Sequence, residues 1–218
     1  MLFSKWRGQC PDIWASYTRH PFVTGLGDGT LPRAAFLTYL QQDYVFLIHF
    51  SRAWALAVVK ADNLVEMKMA SAMVHALINE EMQLHISLCA AEGISTTALE
   101  ATAELPQNLA YTRYVLEAGY SGDFLDLMAA LAPCVFGYGE IGLNLQATKP
   151  SPTYKSWIDT YSGDVYQTLC HDLGAMIDKA VQNRLGTDYN GLGRWQTLSK
   201  HFAMATALER DFWDVSRV

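Results

Sequence analysis

Apolar positions recur at helical spacing along nearly the whole chain, and the strict alternation of a half-buried strand is absent. Residues 2–19 read as a first helix, ended at His20-Pro21 because a residue before proline is pushed out of the helical region. Residues 25–32, Gly25-Leu26-Gly27-Asp28-Gly29-Thr30-Leu31-Pro32, read as a loop and a helix start. Thr30 is placed to cap, and Pro32 suits a first turn. Long helices are predicted over 32–60 and 64–91, the second stopped by Gly93. Pro106 opens a helix over 107–118, and Gly122-Asp123 caps a fifth that ends before Lys149-Pro150. A short helix over 153–161 and longer ones over 164–184 and 192–216 follow. The pattern predicts an all-α bundle of roughly eight helices. No internal repeat, low-complexity tract or linker divides it, so residues 1–218 read as a single domain.

Composition narrows the function classes. The chain is 50% apolar and only 17% charged, which fits one large core and suggests surface covered in an oligomer. The net charge of −6, without a basic run, argues against nucleic acid and anionic membrane surfaces. Residues 45–59 form an apolar stretch, but His49, Ser51 and Arg52 break it and it is too short to span a bilayer. No secretory signal opens the chain. Cys10, Cys89, Cys134 and Cys170 lie far apart and form no C-x-x-C pair, so neither zinc nor a redox motif is indicated. A cytoplasmic protein with reduced thiols is expected.

The segment Ala132-Pro133-Cys134-Val135-Phe136-Gly137-Tyr138 carries the strongest chemical signal. Proline inside a helix removes a backbone hydrogen bond at a cost of roughly 3 kcal/mol, and a kink there can aim the next side chain into a cavity. Tyr138 follows Cys134 at i+4, so thiol and phenol share a face. The bland alternative is a buried thiol acting as a small hydrophobe. Asp43 sits mid-helix among Tyr44, Phe46, Leu47 and Phe50, where a buried carboxylate must be paired or hydrogen-bonded. With Phe46 at i+3 it can form a pocket for a flat polar heterocycle; equally, it can make a structural salt bridge to Arg52 or Arg113. Glu209 is one of three acids within six residues, Glu209, Asp211 and Asp214, and follows apolar positions that turn it inward. Two of the three acids are expected to face water. A buried Glu has a raised pKa and can pass a proton near neutral pH.

Metal binding is disfavoured. Bundle-type di-iron sites need a Glu-x-x-His pair on each of two helices, and no His here has Glu three residues before it. Glu81 and His85 stand at i and i+4, which reads as a local helix hydrogen bond. His20 and His49 lack an acidic ligand partner in sequence, so haem is not favoured either.

Three stretches together resemble the TenA/thiaminase II family of aminopyrimidine hydrolases. They are His20-Pro21-Phe22-Val23 through Gly29-Thr30-Leu31-Pro32 to Gln42-Asp43-Tyr44; Leu131 to Ile141, followed by Tyr154-Lys155-Ser156-Trp157-Ile158-Asp159-Thr160-Tyr161; and Glu209-Arg210-Asp211-Phe212-Trp213. The resemblance implies a haem-oxygenase-like helical fold without haem, no cofactor, and a homotetramer. It implies hydrolysis at the methylene of 4-amino-5-aminomethyl-2-methylpyrimidine or of thiamin, giving the hydroxymethyl pyrimidine for thiamin salvage. Cys134 matches the nucleophile of the cysteine-bearing group. Glu209 matches a proton-shuttling acid, Asp43 the acid that binds the ring amine and nitrogen, and Tyr111, Tyr138 and Tyr161 pocket tyrosines. Phe46 falls where the family has a stacking aromatic, sometimes Tyr, so a hydroxyl contact is missing. The mechanism so implied needs an ionised thiol and a protonated leaving amine. Two rivals stand beside it: a metal-dependent oxidase on the same scaffold, and a non-catalytic binder of the thiamin pyrimidine.

Overall fold

The structure, a computed structural model, describes residues 2–217 and is all-α. Its helices are α1 (Leu2–Gln9), α2 (Pro11–Thr18), α3 (Pro21–Asp28), α4 (Arg33–Lys60), α5 (Leu64–Ala76), α6 (Met82–Ala91), α7 (Thr96–Glu100), α8 (Pro106–Ser121), α9 (Phe124–Ala147), α10 (Lys155–Ser162), α11 (Asp164–Leu185) and α12 (Gly193–Phe212). A single turn of π-helix, Leu77–Glu81, joins α5 to α6. Short 3₁₀ turns occupy Pro152–Tyr154 and Trp213–Arg217.

Two long helices organise the bundle. α9 packs against α12, α10, α8 and α11, while α4 packs against α5, α8, α6 and the C-terminal 3₁₀ turn. α9 is the one described helix long and apolar enough to cross a membrane, rather than the stretch at 45–59, yet 89% of its most apolar window is buried in the protein. It is therefore a core helix. Its start is fixed by a reciprocal capping box: the Asp123 side chain accepts from the Leu125 and Asp126 N–H groups, and Asp126 accepts from the Asp123 N–H. Arg194 of α12 clamps the same two acids.

Several boundaries differ from the sequence reading. The helix expected over 2–19 breaks at Cys10-Pro11, because Pro11 takes the first turn of α2, where its missing N–H is no loss. The glycine-rich run at 25–28 is helical, since Gly25 and Gly27 let α3 pack closely against Leu31 and Leu145. Only Gly29, at φ 81, leaves the helix. Thr30 does not cap α4; its N–H and hydroxyl bond Asp28, and Pro32 occupies the cap position. The helix expected over 64–91 is interrupted by the π turn, and α7, capped by Ser95, was not anticipated. The last helix stops at Phe212 and gives way to the 3₁₀ turn.

Candidate active site

Helix α9 runs unbroken through Pro133, so the proline neither ends it nor divides it. Cys134 and Tyr138, one turn apart, both line a cavity of about 980 Å³. Asp43 and Phe46 face it from α4, Glu81 from the π turn, and Tyr161 and Tyr166 from α10 and α11. Glycine makes this wall possible. A Cβ at Gly142 would come within 2.6 Å of the Tyr161 carbonyl carbon, so only glycine lets the end of α10 approach α9 and present Tyr161. At Gly137 a Cβ would lie 2.2 Å from the Tyr17 ring, which packs behind the thiol's helix.

Behind the wall, Glu209 of α12 is 2% exposed, as its inward placement required. Its Oε1 accepts the Tyr111 hydroxyl at 2.7 Å, and its carboxyl acts electrostatically on the Cys134 thiol. Tyr111 and Glu209 thus do not line the cavity; they support its reactive wall from beneath. The other two acids of the cluster lie nearer solvent. Asp211 pairs with Arg210, and Asp214 lies 3.3 Å from His20 Nε2. Burial, helped by the Asp43 charge and opposed by the Tyr111 hydrogen bond, pushes Glu209 up to about 8. Burial, then the carboxyls of Glu209, Glu81 and Asp43, pushes the Cys134 thiol well above its ordinary value. The resting thiol is therefore protonated, unlike cysteines activated by neighbouring cations. Of the carboxyls around it, Glu209 acts on the thiol most strongly.

Asp43 is not paired with Arg52 or Arg113. Arg52 contacts His49, and Arg113 is held by Glu104, which also lies 3.7 Å from His49. The partner of Asp43 is His85 of α6, whose Nε2 lies 2.6 Å from Oδ2, with both side chains almost fully enclosed. Nδ1 of the same ring lies 2.9 Å from the Glu81 carbonyl oxygen, so both nitrogens face acceptors and the imidazolium is favoured. Burial alone would lower His85, but Asp43 and Glu81 override it and raise the ring to about 9. The Tyr39 hydroxyl donates to Asp43 Oδ2 at 3.1 Å, accepts from Trp157 Nε1 at 3.3 Å and lies 3.3 Å from the Tyr138 hydroxyl. The carboxylate is thereby fixed from two sides while remaining on the cavity wall.

The aromatic floor is continuous. Phe46 stacks on Phe50 at 5.0 Å and on Tyr111 at 5.2 Å between centroids. Tyr161 meets Tyr138 edge to face at 4.8 Å and donates its hydroxyl to Glu81 Oε1 at 2.7 Å. Three residues of this network escaped the sequence reading in their roles. Tyr39 stands at i−4 to Asp43, so helical spacing contained that signal. Glu81 and His85 do meet at i and i+4, through the Glu81 main-chain oxygen, but their further partners come from α10 and α4, which periodicity does not reveal. Glu140, inside the α9 motif, is structural and binds Arg7 and Trp14. Among the described residues, no group of three or more His, Cys, Asp or Glu is placed to hold a metal ion.

A sequence profile of the TENA/THI-4/PQQC family matches residues 7–217. The chain is 36% identical over 207 residues to an aminopyrimidine aminohydrolase of Halalkalibacterium halodurans, covering 94% of this chain and 90% of that one. It is 28% identical to an aminopyrimidine aminohydrolase of Bacillus subtilis, covering 96% and 87%. It superposes on the crystal structure of a TenA family transcription regulator from Silicibacter sp. TM1040 with a TM-score of 0.97 and 58% identity, over 99% and 96% of the two chains. A Shewanella denitrificans domain with a heme oxygenase-like fold matches with a TM-score of 0.74 at 13% identity, over 99% and 91%, which shows the fold alone. His85, held between Asp43 and the Glu81 carbonyl, is not free to serve as an axial haem ligand.

Proposed function

The chain belongs to the TENA/THI-4/PQQC family, and on that premise we propose that it is an aminopyrimidine aminohydrolase of thiamin salvage acting through Cys134. The observation that carries this reading is the Cys134 thiol, facing a cavity shared with Asp43 and acted on by the buried Glu209 carboxyl. Asp43, held by His85 and Tyr39, binds the amine and ring nitrogen of the aminopyrimidine, and Phe46 and Tyr138 flank its plane. The Cys134 proton passes to Glu209 as Sγ bonds to a ring carbon. The added electron pair expels the protonated amine from the methylene. Water adds to that carbon, giving up a proton, and the Sγ–ring bond breaks to restore aromaticity while the thiol regains its proton from Glu209. The net change is one water consumed and one amine released. This splits a hard displacement into two easier steps.

The acidic chain and its acid-rimmed cavity do not support a nucleic-acid grip, so the regulator name of the Silicibacter relative is not carried over. A cytoplasmic homotetramer is part of the proposal. Exposed Val59, Leu64 and Val65, around the turn between α4 and α5, supply apolar surface for assembly, and light scattering on purified protein tests it. The decisive assay incubates the chelator-dialysed protein with the aminomethyl pyrimidine and with thiamin and separates the products. Formation of the hydroxymethyl pyrimidine is expected without added metal. No product from either compound would leave a binding protein instead, and activity restored only by iron or zinc would favour an oxidase.

A further inference from the structure

A half-buried carboxyl in this cavity has no part in the scheme above. Glu81 ends the π turn, an insertion that marks functional sites more often than plain helix does. The turn widens the helix where it faces the cavity: Leu77, Glu80 and Glu81 all line it. Oε1 of Glu81 accepts the Tyr161 hydroxyl, and a carboxylate has about four acceptor sites, so capacity for a ligand remains. Glu81 and Cys134 line the same cavity, so the carboxyl and the thiol face one ligand space. The Glu81 main-chain carbonyl, meanwhile, holds His85, so the backbone that carries this carboxyl is locked to the Asp43 pair.

The surrounding charge has one sign. Among the described residues lining the cavity there is no Lys or Arg. Its exposed mouth carries Glu80, Asp159, Asp164 and Asp172; Asp159 is paired with Lys155, and His75 is the one basic side chain present. The Asp43–His85 pair is neutral as a unit. A cavity so lined attracts a cation and repels a phosphate.

We propose that Glu81, held by Tyr161 on the π turn, is the leaving-group subsite: it receives the cationic amine on the substrate's methylene and selects that amine over neutral or phosphorylated groups. This rests on the hydrolase reading of the same cavity. Glu81 is thereby a specificity-determining residue, and the acidic mouth acts with it on the approaching ligand.

Calorimetry on the Cys134→Ser protein, which retains the cavity without turnover, provides the test. The aminomethyl and hydroxymethyl pyrimidines differ only in ammonium against hydroxyl. The first is expected to bind about tenfold or more tightly, as a charge-assisted contact should. Adding Glu81→Gln, whose amide oxygen still accepts from Tyr161, is expected to reduce that preference below about threefold while hydroxymethyl affinity holds. The phosphate ester of the hydroxymethyl compound is expected to bind more weakly than the free alcohol. A preference that survives Glu81→Gln, equal weakening of both ligands, or tight binding of the ester would overturn the proposal. If circular dichroism shows the Gln protein unfolded, Glu81→Ala is used, and an undiminished preference there overturns it equally. Binding of neither pyrimidine to the Cys134→Ser protein would remove the hydrolase reading itself, together with this subsite.

Discussion

Helix α9 faces two different interiors. Through Phe136 it joins an aromatic stack: Phe136 on Phe3 at 4.4 Å, Trp6 on Trp195 at 5.5 Å, and Trp14 on Phe202 at 5.7 Å. Through Cys134 and Tyr138, two residues either side of Phe136, it joins the cavity lined by Asp43 and Glu81, with His85 and Glu209 buried behind that lining. α12 is shared in the same way, giving Trp195 and Phe202 to the stack and Glu209 to the layer behind the cavity wall. Burial stabilises the first region, because apolar surface leaves water and its rings meet in favourable stacked and edge contacts. Burial strains the second, because charges leave water and must be paired or protonated. One helix thus carries both stability and chemistry, and the two can be varied separately.

The sharpest separation comes from Trp195. Trp195→Ala should remove about 3–5 kcal/mol of stability, the usual cost of emptying a large aromatic site, while kcat at a temperature where the variant is folded stays near wild type. Denaturant melts paired with the product assay measure both. A large fall in kcat would show that stack and cavity are not independent.

pH should act on the other region. His85 is raised from 6.5 to about 9, so its contribution is fully present below pH 6.5 and lost as pH rises through 9. That shift corresponds to about 3 kcal/mol. Glu209, raised from 4.5 to about 8, acts in the same direction: the folded state binds the extra proton between those values, and stability falls with rising pH. The denaturant midpoint is therefore expected to be lower at pH 9 than at pH 6. In His85→Ala most of the dependence above pH 7 should vanish. A midpoint that climbs over this range contradicts the pairing.

Activity should run opposite to stability. If Glu209 takes the thiol proton, kcat/KM rises with pH through about 8. Glu209→Gln should cost about 100-fold and abolish that limb. A Gln variant with the limb intact would assign the proton to another group. Asp43→Asn is the smaller probe. Loss of a charge-assisted hydrogen bond should weaken the pyrimidine product by about 1.5–3 kcal/mol, and unchanged affinity by calorimetry would make the Asp43–His85 pair purely structural.

Sequence periodicity resolved the apolar region better than the polar one, for physical reasons. The long helices are legible because their apolar spacing is enforced by packing on both sides. The π turn at Leu77–Glu81 was not, since one extra residue per turn leaves the local pattern helical. Cys134 and Tyr138 were legible as a face because they lie on one helix. Asp43 was legible as a buried acid needing a partner, but the arginines suggested by the sequence were wrong. The true partner, His85, comes from a helix that only tertiary packing brings within 2.6 Å. The thiol's environment was the least legible: nothing local to Cys134 announces that the Glu209 carboxyl, from the far end of the chain, acts on it.

The central claim is that Cys134 is the reacting group of this cavity, and Cys134→Ser tests it most directly. Oxygen and sulfur differ little in volume, so circular dichroism and the denaturant midpoint should match wild type. The hydroxyl is far less ionisable, so conversion of the aminomethyl pyrimidine should fall by at least about 1,000-fold. A folded Cys134→Ser protein that keeps more than about a tenth of the wild-type rate would contradict the account.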